Sequence, residues 1–390
     1  EEGIVIVGGG VAGLATALGL HRLGIRSLVL ESSDKLRITG FAFMMWRNAW
    51  KALEALGIAP AIREKHNSIQ GYYFHFFLKK TIIMIYIYFV FIAAADYELR
   101  GVNRKVLLET IENELPKGTI RFSSKVVTIQ NDGEYKSLLL ADGTSIKAKV
   151  LIGSDGVYSP VAKFLGFKKA VQTGRYAARG LVNFEEGHGL GCKAFQLLGI
   201  GARHGIVPLD DRQVFWFFTY NPTSQGMEID LEHDNAKLKA FILGNLGNTP
   251  EKQRRVFADT DVHNISCTEL RYRHPWDLIC ANISKHNVCV IGDALHPMTP
   301  DIGQGACAAL EDSVVLARCL GRAVDKYDVG LEKFAKERRW RSIKVISLAY
   351  VSGFVNQGQG AVLSFLRDKF LAGVVMRAAF KLSMYDCGKL

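Results

Sequence analysis

The feature that most constrains this chain is its opening: an apolar run at residues 3–7, the turn Gly8-Gly9-Gly10-Val11-Ala12-Gly13, and a second apolar stretch at 14–23. The first run is short and rich in Ile and Val, as strands are, and the second carries Leu and Ala at helical spacing. Gly24 stands where a left-handed helix end wants glycine, and residues 27–30 read as a second strand closed by Glu31. A strand, a glycine turn, a helix and a strand form a βαβ opening, which requires a parallel sheet. A further helix is expected at 48–56, ending at Gly57.

Gly8, Gly10 and Gly13 occupy the G-x-G-x-x-G places, and each has a physical task there. Gly8 permits the tight turn, Gly10 lets a pyrophosphate approach the backbone, and Gly13 lets helix and strand pack closely. The helix N-terminus adds N–H donors and positive potential, while Glu31 is placed to accept from a ribose hydroxyl. An ordinary glycine-rich turn is the alternative, but strand, helix and acid together favour dinucleotide binding.

With 390 residues and 48% hydrophobic composition, the chain suits two closely packed domains. The expected class is α/β: a Rossmann-like nucleotide-binding domain at 1–71, 97–170 and 281–330, with an inserted mixed β-sheet substrate domain and a C-terminal helical segment at 331–390. The inserted domain comprises a hairpin at 72–96 and short strands within 171–280, among them 205–209 and 213–220, separated by Gly, Pro and Asn. Residues 82–95 are unbroken apolar and aromatic, short of the roughly 20 residues that span a bilayer. Their β-branched and aromatic content favours strands at 72–78 and 82–92 around Lys79 and Lys80. A weak membrane contact through this segment, or an unusual insert, are competing readings.

The net charge of +11 comes from scattered Lys and Arg without a basic run, so no nucleic-acid partner is expected. A positive field steers anionic ligands such as dinucleotides and aromatic acids. Seven cysteines without a C-x-x-C pair suggest neither a metal site nor a disulfide framework. A reducing compartment, cytoplasmic or organellar, is the simplest expectation; the chain opens on Glu1, so no targeting segment can be read. Oligomeric state is not written in the sequence.

Two further motifs follow strands. Residues 288–291 lead into Gly292-Asp293-Ala294, and an acid at a strand's carboxyl end can accept from polyol hydroxyls in the crevice where open α/β sheets bind ligands. An N-cap or turn role is equally open to Asp293. Pro300, Gly303, Gln304 and Gly305 then introduce a helix at 305–321, whose N-terminus would favour negative charge. Gly153-Ser154-Asp155-Gly156-Val157-Tyr158-Ser159 follows a strand at 150–152, and by itself Asp-Gly reads as a turn.

In this order, and with His296-Pro297 and Pro300-x-x-Gly303-x-Gly305 following, the motifs resemble the single-component (class A), FAD-dependent aromatic hydroxylases, a group that includes salicylate and p-hydroxybenzoate hydroxylases. The stretch 271–320 is most similar to a plant monooxygenase branch related to salicylate hydroxylase. The resemblance implies that Gly8, Gly10, Gly13 and Glu31 bind the ADP half of FAD and Asp293 the ribityl and pyrophosphate region. It also implies that Arg104 and Arg37 lie beside the cofactor, that Asp155 serves FAD and NAD(P)H, and that Gly303, Gly305 and Ala306 face the isoalloxazine. Departures from the pattern are Cys307 in place of Asn, Lys163 in place of Arg, and bulky Phe41, Phe43, Met44 and Met45 where small residues are usual.

The reaction implied by the resemblance is hydroxylation of a small aromatic, phenolic-acid-like substrate by NAD(P)H and O2 through a C4a-hydroperoxyflavin. With no second glycine fingerprint, NADH and NADPH stay open as alternatives. No side chain performs the oxidation, so the protein orients, excludes water and supplies electrostatics. A phenol wants a base nearby and a carboxylate an arginine, which makes Arg203, His204 and His296 candidates, with Arg179 in the same domain. For Arg179, Arg203 and His204 the competing reading is an exposed strand residue; for His296 it is an orienting role. Other readings are a flavin oxidase or dehydrogenase, an epoxidase of an isoprenoid, and a catalytically impaired flavin-binding protein. Halogenation is disfavoured because the paired-tryptophan signature is missing.

Overall fold

A computed structural model describes residues 1–37, 41–78, 81–87, 98–198, 202–222, 234–324, 326–357 and 372–390. The first third contains β1 (Glu2–Val7), α1 (Val11–Arg22), β2 (Leu28–Leu30), β3 (Ala42–Met45), α2 (Arg47–Ala55), α3 (Ala59–Glu64), β4 (Gly71–Leu78), β5 (Thr81–Ile87), β6 (Arg100–Asn103) and α4 (Arg104–Asn113). Next come β7 (Ile120–Arg121), β8 (Val126–Asp132), β9 (Tyr135–Leu140), β10 (Ser145–Gly153), α5 (Pro160–Phe164), β11 (Val171–Asn183), β12 (Lys193–Leu198), β13 (Ala202–Pro208) and β14 (Gln213–Tyr220). The remainder holds α6 (Asn235–Gly244), α7 (Glu251–Ala258), β15 (Ile265–Tyr272), β16 (Ser284–Lys285), β17 (Val288–Val290), α8 (Gly305–Gly321), α9 (Tyr327–Gln357) and a last helix, Ala372–Ser383.

The first sheet has a parallel core in the order β17-β10-β1-β2-β7. Its register aligns Val7 with Gly153 and with Leu30, and Gly153 with Val290. Strand ends that lie far apart in sequence therefore stop side by side. Helix α1 is buried from Val11 through Leu20, as expected of a helix apolar on every side, and it packs against α8. It ends at Gly24, whose φ of +74° allows the N–H of Gly24 to reach His21 O and that of Ile25 to reach Leu20 O.

The second sheet runs β15-β11-β14-β13-β12-β4-β5, antiparallel except for the parallel β12–β4 pair, and is therefore mixed. Because side chains alternate across a strand, Trp216, Phe218, His204 and Ile206 share one face, where they meet Val256 and Phe257 of α7. Arg203, Val207, Phe215 and Phe217 belong to the opposite face, toward the first sheet and its helices.

The expected hairpin is present as the β4–β5 pair, Tyr72 opposite Ile87; residues 79–80 and 88–97 lie outside the described residues. Helices α6 and α7 were not foreseen within a stretch read as short strands. There the polar residues are caps rather than strand breaks: Asp234 accepts from the N–H groups of Ala236 and Lys237, and Pro250 precedes α7. No helix among the described residues is long and apolar enough to cross a membrane.

Candidate functional site

The glycine turn sits against the Asp-Gly loop. Gly8 has φ +106°, and a Cβ there would lie 2.6 Å from Ser154 O and 2.9 Å from the Asp155 Cα. At Gly13 a Cβ would meet Gly8 O at 2.0 Å, so the first turn of α1 presses directly on the strand end. Gly10 is different: among the described residues nothing lies within 4 Å of its Cβ position, and no side chain caps the helix that starts beside it. Open space and uncapped N–H donors thus meet at one point, as an anion requires.

Glu31 turns toward the same loop. Its Oε2 accepts from Gly9 N–H at 2.8 Å, while Oε1 accepts from Ser33 N–H at 2.8 Å and from Ser32 Oγ at 3.1 Å. The carboxylate therefore fixes the turn, with lone pairs left over for a further donor.

Gly292, with φ +57°, packs so closely on α1 that its Cβ would be 2.9 Å from that of Ala12. Asp293 follows in a 3-10 turn, Gly292–Ala294, and makes no side-chain hydrogen bond among the described residues. It is exposed, yet burial in the surrounding protein raises its pKa against the opposing pull of His296, Arg104 and Arg179. Asp293 stands just beyond the carboxyl ends of β1, β10 and β17, in the cleft where open α/β sheets bind ligands. Arg104 starts α4, donates from Nε to Arg37 O at 3.0 Å, and holds its guanidinium 5.5 Å from the centre of the Phe43 ring. Burial and then the Arg37 charge lower its pKa, while Asp293 and Glu31 pull the other way. The backbone N–H of Arg104 is held by Phe41 O, and Phe41 itself has φ +62°, a rare conformation for an aromatic residue.

In the Asp-Gly loop, Asp155 Oδ2 accepts from Val161 N–H at 3.4 Å, and Oδ1 is buried without a hydrogen-bond partner among the described residues. Burial raises this carboxyl to about 6. Ser159 caps α5, and Lys163 is exposed on that helix.

The segment before α8 is braced from the second sheet. Asp301 lies in the 3-10 turn Pro300–Ile302 and receives Arg175 Nη2 at 2.8 Å and Arg203 Nη1 at 2.9 Å. Burial alone would raise Asp301, but the two guanidinium groups outweigh it and hold the carboxyl below its usual range. Gly303 follows with φ +62°, its Cβ position 3.2 Å from Trp46 Nε1, and nothing approaches that of Gly305. Ala306 is half-buried in the first turn of α8. The Cys307 thiol, pushed up to about 12 by burial, lies 3.5 Å from Met44 O and 3.6 Å from Gly303 O. It stays protonated and ties α8 to β3.

Behind Asp293 lies a buried ionic network. His296 Nε2 meets Asp312 Oδ2 at 2.6 Å, and that same oxygen accepts from Gly292 N–H at 2.9 Å. Arg338 of α9 donates to Asp312 Oδ1 at 2.6 Å and to Glu311 Oε2 at 2.8 Å, while Arg341 donates to Glu311 Oε1 at 2.6 Å. Asn48 bridges Glu311 and Gln304. The charges are paired and hydrogen-bonded, as burial demands.

Three candidate residues are therefore reassigned. His204 is buried on the far face of the second sheet, bonded to Thr249 Oγ1 at 2.8 Å and stacked on Phe218, so it is neither exposed nor at the cleft. Arg203 is also buried rather than exposed, and its charge is committed to Asp301. His296 is held by Asp312 behind the Gly292 turn, in the orienting position. The structure brings together Gly8, Gly10, Gly13, Glu31, Arg37, Arg104 and Asp293, sets Phe41 beside Arg104, has Arg179 among the charges that act on Asp293, and adds Asp301, Asp312 and Arg338, to which the motifs gave no role. Sequence offered a signal for Asp312 alone: an acid inside an otherwise apolar helix, which must pair when buried.

A parallel sheet whose adjacent strand ends carry a glycine turn, an acid bonded to that turn and a second acid with no side-chain hydrogen bond among the described residues defines a dinucleotide-binding fold, and the open space at Gly10 and Gly305 fits FAD. The chain belongs to the FAD binding domain family, whose profile matches residues 1–349. It is 48% identical to Monooxygenase 2 of Arabidopsis thaliana, over all of this chain and 99% of that protein. It is also 34% identical to Monooxygenase 1 of the same plant, over the full length of both. The fold is shared with Klebsiella pneumoniae HpxO complexed with FAD and uric acid, at TM-score 0.82 and 22% identity, covering 98% of this chain and 97% of that one. The protein is an FAD-dependent monooxygenase.

Proposed function

We propose that this enzyme hydroxylates a small aromatic or heteroaromatic substrate at the expense of NAD(P)H and O2. The observation that carries this reading is that the glycine turn, the Glu31 carboxylate bonded to it and Asp293 meet at the carboxyl ends of adjacent parallel strands, where open α/β sheets bind ligands. Similarity to the FAD-dependent urate hydroxylase of Mycolicibacterium vanbaalenii, 27% identical over 88% of this chain and 86% of that protein, supports a ring substrate. Bound FAD supplies the electron transfer and oxygen activation. The chain's own residues bind and orient: the α1 N-terminus and Gly10 take a pyrophosphate, Asp293 accepts from hydroxyls of the ribityl chain, and Arg104 places positive charge beside the cofactor. The Arg175–Asp301–Arg203 cluster holds the turn ahead of α8 in place, and the second sheet closes the cleft against water.

The test is to follow NADH and NADPH oxidation by the purified protein with phenolic acids and heteroaromatic rings, and to weigh the products. Substrate-stimulated oxidation with a product one oxygen atom heavier is the expected result. Nicotinamide oxidation that yields only hydrogen peroxide would make the protein an oxidase.

A further inference from the structure

The junction between β6 and α4 carries Arg104, and it is held from outside both elements. Phe41 O takes the N–H of Arg104, while the N–H of Asn103, one residue earlier, donates to Nε2 of His66 at 3.0 Å. His66 is buried just beyond α3. Its other ring nitrogen, Nδ1, lies 2.8 Å from Ile62 O. A backbone N–H can only donate and a carbonyl can only accept, so the two partners fix the imidazole as neutral, with its proton on Nδ1 and a lone pair on Nε2. Burial works in the same direction: it lowers the His66 pKa, helped by Arg100 and Lys65 and opposed by the Ile62 bond and Asp210.

The ring's own backbone is braced. Arg100 donates to His66 O and to Arg63 O, and Glu98 holds both guanidinium groups, Arg100 Nε at 2.7 Å and Arg63 Nη2 at 2.6 Å. Next in the chain, Asn67 N–H donates to Leu209 O at 2.8 Å, which ties this stretch to the second sheet just past β13. The Asn103 side chain is already committed: Oδ1 caps α4 by accepting from Lys105 N–H at 2.9 Å, and Nδ2 donates to Gln213 Oε1 of β14 at 3.1 Å. Without the His66 acceptor, a buried N–H would be stranded at the residue before Arg104, and the junction would have to shift to satisfy it.

We infer that His66, as its Nδ1–H tautomer, is a positioning residue that sets the place of Arg104 at the cofactor by accepting the N–H of Asn103. The inference rests on the placement of Arg104 beside FAD in the proposed function, and it adds the device that holds the arginine there. His66 acts through the backbone, at the root of a long side chain, where a displacement of about 1 Å is costly to a binding constellation.

Two substitutions separate the ring's nitrogens. Gln places its amide where His carries Nε2, and Asn places its amide where His carries Nδ1. His66→Gln therefore keeps an acceptor for Asn103, and His66→Asn keeps only a donor for Ile62 O. That carbonyl also accepts from Lys65 N–H at 3.3 Å, so it stays satisfied in either variant. The measurement is the FAD dissociation constant of the whole chain, read by flavin fluorescence, for wild type, both variants, Arg104→Met and the His66→Asn, Arg104→Met double variant. His66→Gln is expected to hold FAD within about twofold of wild type, and His66→Asn to weaken it about fivefold or more. In the Arg104→Met background His66→Asn should add less than about twofold, because the residue it positions is gone. His66→Met, close to His in volume and without a strong acceptor, repeats the comparison if His66→Asn does not fold. Equal FAD affinity in the Gln and Asn variants, or an Asn effect of the same size with and without Arg104, overturns the inference and leaves His66 a packing residue. If Arg104→Met binds FAD as wild type does, the placement of Arg104 fails and the inference with it. Failure at His66 alone leaves that placement standing.

Discussion

Gly10 and Gly13 belong to one turn but answer to opposite demands. A Cβ at Gly13 would sit 2.0 Å from Gly8 O, whereas at Gly10 it would meet nothing, and the Gly10 backbone (φ −82°) is open to any residue. Gly13→Ala should therefore cost stability, about 1–3 kcal/mol by overpacking, seen as a lower urea midpoint. Gly10→Val should fold with a near wild-type midpoint and bind FAD far more weakly, since its side chain fills the space the pyrophosphate needs; a variant that keeps FAD would contradict this placement. Asp155 gives a pH signature in the FAD-free protein. Burial lifts it from 3.8 to about 6, so between those values the folded state binds more protons than the unfolded one, and stability falls as pH rises through that window. Asp155→Asn removes the ionised, desolvated group. Its advantage over wild type should be small at about pH 4 and reach about 2–3 kcal/mol above about pH 7. Urea unfolding at both pH values checks it, and a constant difference would contradict it. At this scale the local geometry was legible: the close approaches at Gly8 and Gly13, an acid at the end of β2 beside the turn, and the Gly24 helix end. It could not separate Arg203 from His204, because neighbours on a strand face opposite ways and nothing in the sequence says which face meets the cleft.

At the level of elements, α9 is the part least expected to touch the cofactor region and the one most firmly tied to it. Arg338 reaches from α9 to both acids of α8, and Asp312 passes that hold on to the Gly292 N–H and to His296. Arg338→Met removes one partner and leaves Glu311 and Asp312 buried with less compensation. A loss of about 3–5 kcal/mol is expected. Denaturant unfolding measures this loss. FAD affinity should weaken as well, because the turn that carries Asp293 loses its anchor. Unchanged affinity in the folded variant would mean that the network serves stability alone. The charged tail was readable as helix from composition, but its partners were not, since the contacting residues are 26 to 30 positions away and on another element. The same holds for Arg175 and Arg203 on Asp301, separated by 126 and 98 residues. Helices α6 and α7 were lost for a different reason: their caps use the same Asp, Asn and Pro that mark strand ends.

Over the whole molecule, one strand register does most of the positioning. Val7, Gly153, Val290 and Leu30 end in line, so the glycine turn, the Asp-Gly loop, the Gly292 turn and Glu31 emerge at one edge of the sheet. The second sheet then closes over that edge and commits two of its arginines to the segment before α8. The motifs could be seen separately in the sequence, and their order suggested a common purpose through family resemblance. Their physical meeting depends on β10 and β17 pairing beside β1, a long-range choice that no local pattern encodes. The central claim is that this assembly transfers an oxygen atom from O2. The most direct measurement is a turnover under oxygen-18-labelled dioxygen in ordinary water, with NAD(P)H and a substrate that stimulates its oxidation, followed by mass analysis of the product. The account predicts that the inserted oxygen carries the label. An unlabelled product, with its oxygen drawn from water, would contradict it.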